Sequence, residues 1–267
     1  MTVKMIAVDM DGTFLNSEKD YDREKFNHLY KKMCEQNVRF VVASGNQYYQ
    51  LKSFFPTIAD ELSFVSENGA YVVSEGNEIF CGELDPASVK EVLTILADVE
   101  GAHTILCGKK SAYVNEQEPD EFVEYGNQYY HRLKKVPDLL EVTEDTLFKF
   151  ALSFPPEKVQ EVLQQLREVV GDKVTPVSSG HEDVDLIIPG IHKAYGLMQL
   201  QELWGIKNHE IAAFGDSGND IEMLKHAGHS FAMSNAQPEV KVAAKEIILS
   251  NDENGVLVKI EELLKNA

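Results

Sequence analysis

The sequence predicts an α/β protein: a Rossmann-like parallel-sheet core interrupted by an inserted α+β module. Two observations predict it. Short strands that are apolar along their whole length alternate with helices at both ends of the chain, the pattern of a parallel sheet covered on both faces. Between them, hairpin-like strand pairs and helices follow one another in a different order, so the core is discontinuous in sequence. The expected division gives residues 1–82 and 189–267 to the core and residues 83–188 to the insertion.

The first strand is read at Val3 to Val8, a β-branched run stopped by Asp9-Met10-Asp11-Gly12. Helical spacing of Phe26, Leu29, Tyr30 and Met33 predicts a helix from about Asp22 to Gln36. Arg39 to Ala43 and Leu62 to Val65 read as the second and third strands. Tyr71-Val72-Val73 and Glu78-Ile79-Phe80 flank Ser-Glu-Gly-Asn and predict a hairpin. Asp85-Pro86 reads as an N-cap followed by proline at the first helical position, opening a helix to about Asp98. Strands follow at His103 to Leu106, Ala112 to Asn115, Leu147 to Phe154, Val174 to Val177 and Val184 to Ile188. Helices are expected near Glu118 to Tyr125 and after Pro155-Pro156. The core pattern then resumes. A helix from His192 to Leu203 precedes a strand at Ile211 to Phe214, a helix from Asp220 to Ala227, strands near Ser230 to Met233 and Glu246 to Leu249, and a last helix near Val256 to Lys265.

Composition narrows the functional class. With 25 Lys and Arg against 44 Asp and Glu among 267 residues, the formal net charge is −19. That excess of acid argues against nucleic acid or an anionic membrane as partner, since both call for clustered cations. At 43% hydrophobic and 26% charged residues the chain is globular rather than disordered. No run approaches the roughly 18 apolar residues that a spanning helix needs, and Asp9 and Asp11 interrupt the only apolar stretch near the start. Cys34, Cys81 and Cys107 are odd in number with no CxxC spacing, which points to free thiols in a reducing cytoplasm.

Four short motifs carry chemistry. Asp9-Met10-Asp11-Gly12-Thr13 follows the first strand, and in open parallel sheets ligands bind beyond the carboxyl ends of strands. A calcium loop is excluded, because the glycine is fourth from Asp9 and Asp20 rather than Glu stands twelfth. Gly215-Asp216-Ser217-Gly218-Asn219-Asp220 follows another buried strand. Placed side by side, Asp9, Asp11, Asp216 and Asp220 need a cation or a proton to coexist, and a hard divalent ion with oxygen ligands suits them. Ser44-Gly45-Asn46 offers a hydroxyl and backbone N–H groups to an anion. Lys193, at the start of a helix where the dipole disfavours a cation, is the kind of local conflict found at functional sites.

In this order the motifs resemble the haloacid dehalogenase superfamily of phosphohydrolases, in its Cof-type branch with a large inserted cap, nearest to the bacterial sugar-phosphate phosphatases. Ser66-Glu67-Asn68-Gly69-Ala70 and Ala232-Met233-Ser234-Asn235-Ala236 look like the same branch. The resemblance implies that Asp9 attacks phosphorus to give an aspartyl-phosphate and that Asp11 is the general acid and then base. It implies Mg²⁺ on the Asp9 carboxylate, the Asp11 main-chain carbonyl and Asp216, with Asp220 and Thr13 in support. Ser44, Gly45 and Lys193 would hold the phosphate, and Asn219 would orient Lys193 or the phosphate. The implied partner is a small phosphorylated metabolite, a sugar phosphate before pyridoxal phosphate or flavin mononucleotide. Phosphomutase or phosphotransferase chemistry stays open, and a monomer or small homo-oligomer is expected. A receiver-like signalling module would be shorter and uncapped. Many relatives carry Arg where this chain has Asn46. Tyr129, Tyr130, His131, His181 and Asp185 are possible cap or hinge contacts outside the expected site.

Overall fold

The computed structural model describes residues 3–99, 101–154, 172–178 and 183–265, together with residues 164, 168 and 170. Two sheets organise them. The larger has eight strands in the order β14-β13-β12-β1-β2-β3-β4-β5. Its central strands are β1 (Met5–Val8), β2 (Arg39–Ala43), β3 (Ser63–Ser66) and β12 (Ile211–Gly215), flanked by β13 (His229–Met233) and β14 (Glu246–Ile248). All six run parallel, while β4 (Tyr71–Ser74) and β5 (Asn77–Cys81) form the antiparallel hairpin expected from the turn sequence. Helices α1 (Arg23–Glu35) and α2 (Tyr48–Ser53) follow β1 and β2.

The strands are apolar throughout because helices bury both faces. Met5, Ile6, Ala7 and Val8 are all inaccessible, as are Ala212, Ala213 and Phe214 beside them. Register then fixes where chemistry can sit. Val8 pairs with Phe214 on one side and Val42 on the other, so Asp9, Ser44 and Asp216 emerge from adjacent strands at one edge.

The smaller sheet has the order β10-β11-β9-β6-β7-β8 and lies wholly between β5 and the return to the core. Its strands are β6 (His103–Gly108), β7 (Ala112–Asn115), β8 (Leu133–Val136), β9 (Leu147–Ser153), β10 (Thr175–Ser178) and β11 (Asp183–Ile187). Helix α3 (Pro86–Ala97) is capped by Asp85, whose side chain accepts from the Ser88 N–H. Its Val92, Leu93 and Leu96 pack with Leu106, Phe150, Leu152, Val184 and Leu186 from one face of this sheet. Strand alternation sends Lys149, Ala151, Ser153, Asp183 and Asp185 to the opposite face, where the larger sheet lies.

Strand β8 is not visible in the apolar pattern, because Leu133-Lys134-Lys135-Val136 lies half exposed at the edge of the sheet. It pairs parallel with β7, joined by the crossover containing α4 (Asp120–Asn127). The segment expected to be helical after Pro155-Pro156 lies outside the described residues, as does His181. The helix expected from Asp220 is shorter: Gly218–Asp220 forms a single 3₁₀ turn, and α-helix runs only over Ile221–His226. Among the described residues no helix is long and apolar enough to cross a membrane. The three cysteines are free.

The two sheets also meet through side chains. Gln47 donates from Nε2 to the Arg132 carbonyl at 3.1 Å and accepts the Arg132 N–H at 2.8 Å. The Arg132 guanidinium lies 3.4 Å from the centre of the Tyr49 ring.

Candidate active site

Asp9 is 5% exposed and follows β1, its backbone N–H bonded to the Phe214 carbonyl at 3.1 Å. The chain then turns tightly. Gly12 has φ +73°, and a Cβ there would stand 2.6 Å from Asp216 Oδ2, so only glycine lets this loop lie against the acidic loop after β12. Thr13 fastens the two loops, donating from its hydroxyl to Asp216 Oδ1 at 2.8 Å.

Lys193 opens the helix Lys193–Trp204, α5, whose N-cap His192 accepts the Tyr195 N–H through its ring. Gly69, at φ +98°, brings the core backbone so close to this helix start that a Cβ would meet the His192 carbonyl at 2.3 Å. The packing leaves the Lys193 side chain 1% exposed, with its ammonium 2.7 Å from Asp9 Oδ1 and 2.7 Å from Asp220 Oδ1. A cation at a helix N-terminus is unfavourable in isolation, and these two carboxylates outweigh the dipole. Burial alone would lower the Lys193 pKa, but Asp220 and Asp9 more than reverse that and hold it charged.

Asp220 is fully buried and uses both oxygens. One takes Lys193, and the other accepts the backbone N–H groups of Asp216 and Ser217, each at 3.0 Å. It therefore braces the loop and the lysine and has little left for a ligand. Burial raises the Asp9 carboxyl well above the usual aspartate range; Lys193 opposes the rise, and Asp220 and Asp216 add to it. Asp216 is pushed up to about 6 by burial and by Asp220, against the pull of the Thr13 hydroxyl and Lys193. Carboxyl oxygens of Asp9, Asp216 and Asp220 come within 4.8 Å of one another. Crowded, desolvated carboxylates with one ammonium between them suit a hard divalent cation, which would neutralise the excess that Lys193 leaves.

Asp11 sits apart from this cluster. Its Oδ1 pairs with Lys19 Nζ at 2.6 Å, and its Oδ2 accepts from Asn46 Nδ2 at 2.7 Å. Ser44 is buried, its hydroxyl accepting the Asn46 N–H at 3.1 Å. Asp11, Lys19 and Asn46 form the core wall of a 340 Å³ cavity between the two sheets, opposite Phe122, Tyr129 and Lys149.

Two of the expected site residues have structural partners of their own. Asn219 does not reach Lys193: its side-chain amide donates to Asn68 Oδ1 at 3.0 Å, because Asn68 is held under it in a left-handed conformation at φ +56°. Gly45 stands where a Cβ would meet Asp185 and Asn68 at 3.1–3.2 Å, so its small size also serves the junction with the insertion. Of the possible contacts set aside from the site, Tyr129, Tyr130 and Asp185 line the cavity, and His131 is exposed. Sequence reasoning missed Lys19 and Lys149. Lys19 lies in a polar loop with no periodic signal, but Lys149 is a charge within a strand apolar on both sides, which is a readable sign.

The family of haloacid dehalogenase-like hydrolases matches residues 6–260. The chain is 50% identical over 266 residues to a 5-amino-6-(5-phospho-D-ribitylamino)uracil phosphatase of Escherichia coli (strain K12), covering 100% of this chain and 98% of that protein. It is 27% identical over 292 residues to a phosphatase of the same printed specificity from Bacillus subtilis (strain 168), covering 98% of each. The crystal structure of SMU.1108c from Streptococcus mutans UA159 superposes with a TM-score of 0.94 at 35% identity, over 99% of this chain and 100% of that one. With the motifs on adjacent strand ends and the matches running the length of the chain, this protein belongs to the haloacid dehalogenase-like hydrolases and is a phosphatase.

Proposed function

We propose that the protein is a Mg²⁺-dependent phosphomonoesterase acting on a small phosphorylated metabolite of the cytoplasm, through an aspartyl-phosphate on Asp9. The observation that carries this reading is the pair of aspartates in opposite settings. Asp9 is buried against Lys193, whereas Asp11 faces the cavity.

Asp9 forms the bond to phosphorus as the ester bond to the leaving oxygen breaks, and protonated Asp11 delivers its proton to that oxygen. Asp11 then accepts a proton from the water that attacks the aspartyl-phosphate, releasing inorganic phosphate and restoring both groups. Lys193 spends two of its three N–H bonds on Asp9 and Asp220, which leaves the third for a phosphoryl oxygen. Ser44 and the backbone at Gly45 supply further donors. Asp9, Asp216 and the Asp11 carbonyl would hold Mg²⁺, which when bound offsets charge on the nucleophile and the phosphoryl oxygens. Residues 83–188 serve as the cap over this site.

The metabolite proposed first is 5-amino-6-(5-phospho-D-ribitylamino)uracil, a sugar-alcohol phosphate bearing a ring, on the strength of the 50% identical relative. Simple sugar phosphates are the second choice. Phosphate release from both, with and without chelator, tests the reading. Wild-type turnover retained by Asp9→Asn, or undiminished in chelator, would refute it.

A further inference from the structure

The side of the cavity opposite Asp11 is built around a buried ammonium that the reaction scheme leaves unused. Lys149 is 2% exposed in the middle of β9 and lines the same 340 Å³ space as Asp11. Among the described residues its one hydrogen bond goes to Asp185 Oδ2, at 2.9 Å. Glu67 Oε2 is 3.9 Å away, too far to bond, and is itself a buried oxygen without a partner. An ammonium carries three N–H donors, so two of these have no hydrogen-bond partner among the described residues, although the Tyr130 ring faces the ammonium at 6.0 Å from its centre.

The placement of this ammonium is not loose. Asp185 Oδ2 also accepts from Asn68 Nδ2 at 2.6 Å, and Asn68 Oδ1 accepts from Asn219 at 3.0 Å. A continuous chain of side chains therefore runs from the insertion to the loop that carries Asp216 and Asp220. Lys149 is held through Asp185 of the insertion, which Asn68 and Asn219 of the core fix in turn relative to the loops of Asp9 and Asp216. Burying a charge with donors unmatched is expensive, and packing gains nothing from it that a methionine would not supply. Its neighbours in the cavity differ in character: Phe122 and Tyr129 present apolar rings, and Asp183 is already engaged by the Tyr125 hydroxyl at 3.0 Å.

We infer that Lys149 is a specificity-determining residue that binds an acceptor oxygen, a hydroxyl or a carbonyl, on the alcohol portion of the substrate. Asp185 acts as its positioning residue. The class of substrate this selects is a phosphomonoester whose alcohol part is long enough to cross the cavity from Asp11 and carries oxygen at its far end. The inference rests on the phosphomonoesterase reading and adds the group that measures the leaving alcohol.

The test compares kcat/KM, with Mg²⁺ supplied, for two long esters and one phosphate too short to cross the cavity. The long ones are 5-amino-6-(5-phospho-D-ribitylamino)uracil and glucose 6-phosphate; the short one is acetyl phosphate. Lys149→Met removes the ammonium. The double variant Lys149→Met with Asp185→Asn also removes the carboxylate left unpaired, and it guards against a fold that fails for that reason. In both variants the preference for the better long ester over acetyl phosphate falls about 30-fold, carried mainly by KM, as expected for loss of a hydrogen bond to a charged group. An equal loss on long and short substrates, or no loss on either, overturns the assignment. So does a wild-type protein that prefers neither long ester to acetyl phosphate, which leaves the phosphatase reading standing. A wild-type protein inert on all three overturns that reading itself.

Discussion

Replacing Asp220 by asparagine is conservative in shape and severe in consequence. The carboxylate faces two kinds of donor at once: Lys193 at 2.7 Å on Oδ1, and the Asp216 and Ser217 N–H groups at 3.0 Å on Oδ2. An asparagine has one acceptor side. If its oxygen keeps the two N–H groups, its NH₂ meets the Lys193 ammonium donor to donor; if it turns, the loop N–H groups lose their acceptor inside the protein. Breaking a buried ion pair costs about 3–5 kcal/mol. Lys193 keeps Asp9, so the lower end, about 3 kcal/mol, is expected. At about 2–4 °C per kcal/mol for a chain of this size, the melting temperature falls by roughly 6–12 °C in metal-free buffer. Adding Lys193→Met removes the donor–donor conflict, so the double variant loses less than the two single losses together. Calorimetry on the four proteins decides it. A shift under about 2 °C for Asp220→Asn, or strictly additive losses, would refute the account of Asp220 as a shared brace.

Other perturbations test separate parts. Burial pushes the Glu67 carboxyl up to about 8, with Lys149 opposing and Asp185 adding to the rise. The folded state therefore holds a proton that the unfolded chain has already released, and stability falls as pH rises from about 4.5 to about 8. Glu67→Gln flattens that decline and stabilises by about 4 kcal/mol at pH 8, with little change at pH 4, in melts across the range; a parallel pH dependence in both proteins would contradict it. Gly12→Ala forces a Cβ onto Asp216 in a left-handed backbone, and loses about 1–2 kcal/mol together with most Mg²⁺ response, read by melting with and without the ion. Unaltered Mg²⁺ stabilisation would show that the two loops need not touch. Asp11→Asn lowers kcat about 10²–10⁴-fold on alkyl phosphates and much less on acetyl phosphate, whose leaving group needs no proton; equal losses would remove Asp11 from the acid role.

How much of this was legible in the residues varies with the physical origin of each feature. The core strands were readable because burial on both faces demands unbroken apolar runs, and the strand-end motifs because Asp and Gly cluster where the chain must turn. The start of α5 was readable from Lys193 and its neighbours, but the reason a cation is tolerated there is tertiary: Asp9 and Asp220 arrive from 184 and 27 residues away. The Asn219–Asn68 bond was illegible for the same kind of reason, since Asn68 is 151 residues distant and held in an unusual backbone conformation. Strand β8 left no pattern, being half exposed at an edge and rich in lysine, a composition that protects edges from further pairing. On β9 and β11 the period-two alternation hid in plain sight. Lys149, Asp183 and Asp185 occupy the positions that point away from α3, and a strand apolar but for such a charge signals a second, polar environment.

The clasp between Gln47 and Arg132 bears on how firmly the two sheets are joined. Both of its hydrogen bonds join an amide side chain to main-chain groups, with no charge on either partner. Each is worth about 1 kcal/mol net, because water replaces it on equal terms. Neutral bonds are also indifferent to ionic strength, unlike a rim of ion pairs. Gln47 immediately follows the Ser44-Gly45-Asn46 loop. One of the joins between the two sheets is thus neutral, cheap to release and attached directly to the segment proposed to receive the phosphate, whereas the Lys109–Glu78 ion pair between the insertion and β5 is the join that salt would weaken.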